Sequence, residues 1–491
     1  MGAAAGLGDL RFLAGLRPVS AAEAADPARV RLDPEIEPLV RLIEQTPREQ
    51  LLEEVAARLH DGLGYRELLA ALLLAGVRNV QPRPEVGFKF HAVLVVNSAH
   101  LASLASPEAH RWLPIFWALD HFKGAQEQDE REGDWTMRPV DESAVPAGSR
   151  ARSAFLEAMD RWDESAADAA AAGLARTAGL HEIFEVLFRY GARDFRSIGH
   201  KAIFVSNSLR TLHCIGQRHT EPLLRSLAYA LLKHEGENPA TRDEAADRPW
   251  RQNVERAKTF RHDWLDGKPD PAATLDMLAA LRQGNEVDTA EKVVELVQRR
   301  IAPQALWDAM LLGAGELLVR QPGIVALHAV TTTNALRYAW NVSDNDDTRR
   351  MLLLQNASFL AMFHQAMGGP DKVKPYKLDE MQPLEMGASG MPNVAEIFAD
   401  ISRDRMQAAG KTLTYLQAHP DPAEFIHSAR LLIFLKGTDA HDYKFSSAVL
   451  EDYQNLSPQW RGRFLASSVF NLRGSGGADN LLVQRTRAAL G

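Results

Sequence analysis

Histidine and lysine open four apolar stretches of this chain in a repeated way. His91-Ala92-Val93-Leu94-Val95-Val96-Asn97-Ser98 and His328-Ala329-Val330-Thr331-Thr332-Thr333-Asn334 share a His-Ala-Val start and a later asparagine in the same place. Lys201-Ala202-Ile203-Phe204-Val205-Ser206-Asn207-Ser208 follows the scheme with lysine where the histidine stands, and His200 directly precedes it, one residue out of register. Lys444-Phe445-Ser446-Ser447-Ala448-Val449-Leu450 is a weaker fourth echo. His441 lies three residues before Lys444, hence on the same helical face. One histidine in a helix is ordinarily a satisfied core or surface residue. Matching positions on similar helices change that expectation and point to one central site. Imidazoles with one oxygen anion suit iron(II), manganese or zinc, and an open position on iron suits dioxygen chemistry. A lysine ammonium buried among imidazoles is disfavoured by desolvation and by any bound cation. Its neutral amine can take up carbon dioxide, giving a carbamate whose oxygens are an anionic ligand. The plainer alternative is that Lys444 snorkels to the surface and His441 caps a helix.

The elements that must carry these residues read as helices. Leu39, Leu42 and Ile43, then Leu51, Leu52, Val55 and Leu59, recur at three- and four-residue spacing. Tyr65 to Val77 is strongly apolar, Gln81-Pro82-Arg83-Pro84 breaks it, and the His91 helix follows, then His110 to Lys123. Comparable flanks enclose the other three segments. They are Leu180 to Tyr190 with Glu221 to Lys233, Ala305 to Leu318 with Arg349 to Met367, and Glu424 to Leu435 with Trp460 to Leu472. The repeats are too long and irregular for a TPR or HEAT array. They suit a closed or curved assembly whose equivalent helices converge. The expected fold is all-α: one large domain over 36–491 of pseudo-repeated helix pairs around a central buried site, behind a flexible arm over 1–35. Three polar stretches interrupt it: Gly124 to Arg150, Glu235 to Pro271 with a helix expected around Asn253 to Asp266, and Gly368 to Pro392. The last carries Met381, Met386 and Met391, a composition that can mould itself around apolar partners or merely connect helices.

Composition narrows the function. The net charge of −8 across 491 residues argues against nucleic acid or an anionic membrane as partner. Met1 to Gly15 lacks the pattern of a signal peptide, and no window reaches the roughly 18 apolar residues of a membrane helix. One cysteine, Cys214, permits no internal disulfide, and a soluble, cytoplasmic protein is expected. Several motifs fail. Gly410-Lys411-Thr412 has Arg405 where a P-loop needs glycine, and His181-Glu182 has Glu185 where a zinc-protease helix needs histidine. Gly474-Ser475-Gly476-Gly477 follows no strand, so it is no dinucleotide loop.

His328-Ala329-Val330-Thr331 with Ala335-Leu336-Arg337, and Asp439-Ala440-His441-Asp442-Tyr443-Lys444-Phe445, resemble segments of the questin oxidase-like family. Phe90-His91 is similar to that family's early Asn-His, and Gly199-His200 to its second histidine segment; the four occur in family order across residues 90 to 451. Its members include fungal enzymes that open or oxygenate anthraquinone rings. The resemblance implies a non-haem iron centre, with zinc or manganese as possible replacements, held by His91, His200, His328 and a carboxylated Lys444. His441 would be a further ligand or a catalytic residue orienting one. It implies dioxygen as co-substrate, carbon dioxide for the lysine, and an apolar, aromatic or polyketide-like small molecule as substrate. Trp117, Trp340 and the Met-bearing loop are candidates to line its pocket, with core packing the competing role for both tryptophans. Two departures stand out: Phe204 where the family usually has another histidine, and Phe90 for its asparagine. A catalytically inactive scaffold or binding protein that kept the fold is the alternative they raise.

Overall fold

A computed structural model describes residues 29–30, 32–83, 89–369, 372–385 and 390–490. Among these the chain forms 22 α-helices and no β-strand, only an isolated bridge between Lys268 and Ile301. None of the helices is long and apolar enough to cross a membrane. The all-α expectation holds, and the organisation follows the sequence repeat. Four helices form a closed ring: the His91 helix (His91–Leu104), the His200 helix (His200–Ile215), the His328 helix (Ile324–Val342) and the Lys444 helix (Ala440–Asn455).

Each central helix is buried over nearly its whole circumference. Their sequences are accordingly apolar and small all round rather than striped. The polar residues they do contain are spent on one another, as burial demands. Going round the ring, Asn207 Nδ2 donates to the carbonyl of Leu94 at 3.0 Å, and Ser206 Oγ to that of Ala335 at 2.8 Å. Asn334 Nδ2 donates to Asp452 Oδ1 at 3.0 Å, and Ser447 Oγ to the carbonyl of Ser98 at 3.0 Å. Every side of the ring therefore has its own cross-link. The asparagines of the repeat, Asn97, Asn207 and Asn334, make one polar layer, joined by Arg210, which reaches Asn207, Asn334 and Glu451.

The flanking helices shield this ring. Tyr65–Asn79 and Leu113–Glu132 pack on the His91 helix, and Leu180–Gly191 and Thr220–Leu232 on the His200 helix. Pro303–Arg320 and Asp346–Ala366 cover the His328 helix; Ala423–Lys436 and Pro458–Ser468 cover the Lys444 helix. These are the paired flanks expected from sequence. Two polar stretches differ from the expectation in where their helix lies. Leu113–Glu132 runs on through Gly124, and the helix expected around Asn253 to Asp266 lies instead at Arg248–Lys258, with a short 3-10 turn at Trp264–Asp266. Pro249 explains the early start: its fixed φ favours the first helical turn. The arm expected over 1–35 lies, for residues 1–28 and Arg31, outside the described residues. Val30 is buried, and its amide donates to the carbonyl of Met137 at 2.7 Å.

Candidate metal centre

The ligand-type side chains meet at one end of the ring because each sits in or near the first turn of its helix. His91 and His200 are the first residues of their helices; His328 and Lys444 are each fifth, and His441 is second. His200 is the hub. Its Nε2 lies 2.9 Å from His91 Nε2, 3.0 Å from His328 Nε2 and 3.2 Å from Lys444 Nζ. The His441 ring closes the group, 4.7 Å from that of His91 and 5.2 Å from that of His328 between centroids. Ligand atoms of all four histidines fall within 4.8 Å of one another, so this buried cluster could hold a metal ion. The structure thus brings together His91, His200, His328, His441 and Lys444.

Hydrogen bonds on the far side of two rings fix what the near side offers. His200 Nδ1 lies 2.7 Å from the carbonyl of Ser197, and His328 Nδ1 lies 2.7 Å from that of Ile324. A carbonyl can only accept, so both Nδ1 atoms carry the proton and both neutral rings present a lone pair at Nε2. Those lone pairs face each other at 3.0 Å. Two acceptors so placed repel unless a cation lies between them. Burial, then the charges of Lys444, His328 and His91, hold His200 well below the ordinary imidazole range. Burial and Lys444 do the same for His328, so protonation is a poor remedy for either ring. A metal ion is a good one: nitrogens bound to one ion at about 2.1 Å lie about 3.0–3.4 Å apart. His441 Nδ1 is held by Asp439 Oδ1 at 3.1 Å, and its buried Nε2 has no hydrogen-bond partner among the described residues. Lys444 is buried, which excludes snorkelling, and desolvation pushes its ammonium down to about 7.

Lys201 is not the histidine's equivalent, contrary to the repeat. It points away from the cluster to Asp194, with Nζ 2.9 Å from Oδ2 and both residues fully buried. The register shift has a local cause. Ser197, Ile198 and Gly199 are all left-handed, with φ of 56°, 44° and 82°. For serine and a β-branched isoleucine that conformation costs on the order of 1 kcal/mol or more each. The strained turn starts the helix at His200 and aims the Ser197 carbonyl at its ring. Asp194 secures the turn by accepting from the Arg196 amide at 2.9 Å as well as from Lys201. Gly199 packs on Thr332, one turn beyond His328, and an added Cβ would overlap Thr332 Oγ1. Gly199→Ala is therefore expected to destabilise the fold by about 1–3 kcal/mol and to lower metal content. Thermal melts and elemental analysis of the same sample check both parts, and wild-type values for both would refute the positioning role.

Trp117 is buried and packs against the Lys444 helix. Its ring lies tilted against Tyr443, between His441 and Lys444 in sequence, at 4.2 Å and stacks on His121 at 4.9 Å. Tyr443, Thr332 and His121 were not picked out from sequence. Each has a buried side-chain polar atom without a partner among the described residues. The signal for the first two was position, Tyr443 inside the His441–Lys444 interval and Thr332 four residues after His328. Trp340 belongs to core packing instead: it lies 6.0 Å from Trp307, with Arg337 over its face at 4.9 Å. In the Met-bearing loop, Met381 lines a surface pocket of 420 Å³ with Pro383 and Tyr453, Met391 is exposed, and Met386 lies outside the described residues. Phe204 is fully buried and packs edge-to-face on Phe90 at 4.7 Å, so the two departures from the family pattern touch each other. His181, Glu185 and Asp344 form a second group at the surface. There Glu185 already accepts from Ser343 Oγ and the Asp344 amide. No protein-family model, curated protein or solved structure matches the chain, and the cluster's own geometry is what speaks for its chemistry.

Proposed function

We propose that this protein is a non-haem iron oxygenase acting on an apolar, aromatic or polyketide-like small molecule. The observation that carries the reading is the pair of Nε2 lone pairs, from His200 and His328, held face to face in a buried pocket of imidazoles. His91, His200 and His328 would hold the ion, with His441 as a further ligand or as the residue that orients one. Iron bound by nitrogen ligands with one position open supplies dioxygen activation. The chain's own part is to keep the imidazoles neutral by burial, to fix two of them through the Ser197 and Ile324 carbonyls, and to exclude water with the surrounding helices. The resemblance to questin oxidase-like sequences supports the choice of iron and of an aromatic substrate.

The reading extends to Lys444. Three imidazoles bring no negative charge, and an ammonium 3.2 Å from His200 Nε2 would repel a cation. With its proton affinity lowered to about 7, the amine is substantially neutral at neutral pH. Its lone pair can attack carbon dioxide: the N–C bond forms as one C–O π bond breaks to leave an oxygen anion, one nitrogen proton passes to water, and a carbamate oxygen would serve as the anionic ligand. Carbon-13 NMR of protein equilibrated with labelled bicarbonate is expected to show one carbamate resonance that Lys444→Ala removes. The variant should also lose metal, with partial recovery on adding a short carboxylic acid. An unlabelled lysine in metal-loaded protein would remove this assignment.

Oxygen uptake tests the enzymatic reading. Protein reconstituted with iron(II) is expected to consume dioxygen with hydroxylated anthraquinones or related phenols, and His328→Ala is expected not to. Bound iron without uptake would instead favour a binding scaffold, the reading that the apolar Phe90–Phe204 contact beside His91 favours.

A further inference from the structure

We propose that a basic cleft adjoining the N-terminal ends of the His328 and Lys444 helices binds a phosphate-bearing small molecule. The cleft has a volume of 690 Å³ and is lined by Lys374, Arg403, Arg405, Lys436 and Arg473, against a single acidic lining residue, Asp404. That concentration of cations runs against a chain whose net charge is −8. Two of the five are already neutralised. Lys436 Nζ pairs with Asp479 at 2.9 Å, and Arg473 grips both oxygens of Asp442 at 2.8 Å. Asp404 is committed as well, its Oδ1 accepting from the amides of Met406 and Gln407 at 2.9 and 3.1 Å as a helix cap. Lys374, Arg403 and Arg405 are left with no carboxylate within ion-pair distance among the described residues. Partial burial, then the like charge of Arg473, holds the Arg405 guanidinium below its ordinary range.

The walls define the kind of anion. One is a glycine-bearing backbone segment packed against Ser402. The Gly476 amide donates to Ser402 Oγ at 3.0 Å, and a Cβ at Gly474 would overlap that serine. Glycine there lets backbone approach closely. Ile401, Phe470 and Leu472 give an apolar floor. Guanidinium forks match phosphate oxygens, three uncompensated cations suit a dianion, and the volume is that of a small-molecule site. A phosphate monoester with an organic body fits all three features. The site uses none of the metal-cluster residues and stands whether or not that cluster holds iron.

Calorimetric titration of the full chain with phenyl phosphate, inorganic phosphate and phenol tests the proposal. Phenyl phosphate is expected to bind saturably, more tightly than inorganic phosphate and more weakly as salt is raised, while phenol does not bind. Arg403→Gln and Arg405→Gln, both at exposed positions, are each expected to weaken binding about tenfold without changing the melting temperature or metal content. His328→Ala should bind phenyl phosphate as the wild type does. No saturable binding, equal affinity in the Arg403→Gln/Arg405→Gln double variant, or binding abolished by His328→Ala would each overturn the assignment, the last by moving the phosphate to the metal cluster.

Discussion

Asp194→Ala is expected to destabilise the protein by about 3–5 kcal/mol, because it strands a buried lysine charge. Lys201 has no exposure to water and its ammonium is bonded to Asp194 at 2.9 Å. Desolvation already pulls its proton affinity down to about 8 despite that carboxylate. Without Asp194 the amine must either lose its proton or remain charged, buried and near the Arg193 and Arg196 charges, and both cost stability. The Arg196 amide loses its acceptor in the same step, which frees the left-handed turn that places Ser197 against His200. Denaturant unfolding reads the first effect, and metal content of the surviving folded protein reads the second. Replacing both partners by apolar residues, Asp194→Leu with Lys201→Met, should recover only the part of the loss that belongs to the lysine, since Asp194 also offsets the buried Arg193 charge and pairs with Arg196 at 3.7 Å. A single variant within 1 kcal/mol of wild type would show that the pair is not what holds the turn.

His200→Ala carries the largest expected effect on binding. Its Nε2 lies within 3.2 Å of His91, His328 and Lys444 together. Removing a partner outside the ligand set of a metal site already costs about 10–100-fold in affinity. Removing the hub should exceed that, leaving a folded chain that does not retain metal through gel filtration. His364→Ala, a buried histidine on the Asp346–Ala366 helix, serves as the control and should keep its metal. Equal metal in the two variants would place His200 among ordinary core histidines.

The central ring was legible in the sequence because a helix buried on all sides leaves its polar residues conspicuous. The His-Ala-Val openings and the asparagines at 97, 207 and 334 marked three of its four members, and the asparagine layer is real. That same layer set the phase wrongly at one helix. Asn207 aligned Lys201 with His91, whereas the site takes His200. Nothing in apolar periodicity reports three left-handed residues before a helix, nor that Asp194 lies waiting for the lysine. Phe204 stands where the resemblance leads one to expect a histidine; its contact with Phe90 is tertiary and cannot be seen from either residue alone. The basic cleft was invisible for the same reason. Its cations come from Lys374, Arg403, Arg405, Lys436 and Arg473, which no local window contains.

Elemental analysis of the purified chain, before and after reconstitution with iron(II), manganese(II) and zinc(II), tests the metal centre most directly. About one transition ion per chain is expected, lost on His200→Ala and on His328→Ala. A wild-type chain that stays metal-free after reconstitution with all three ions would contradict it.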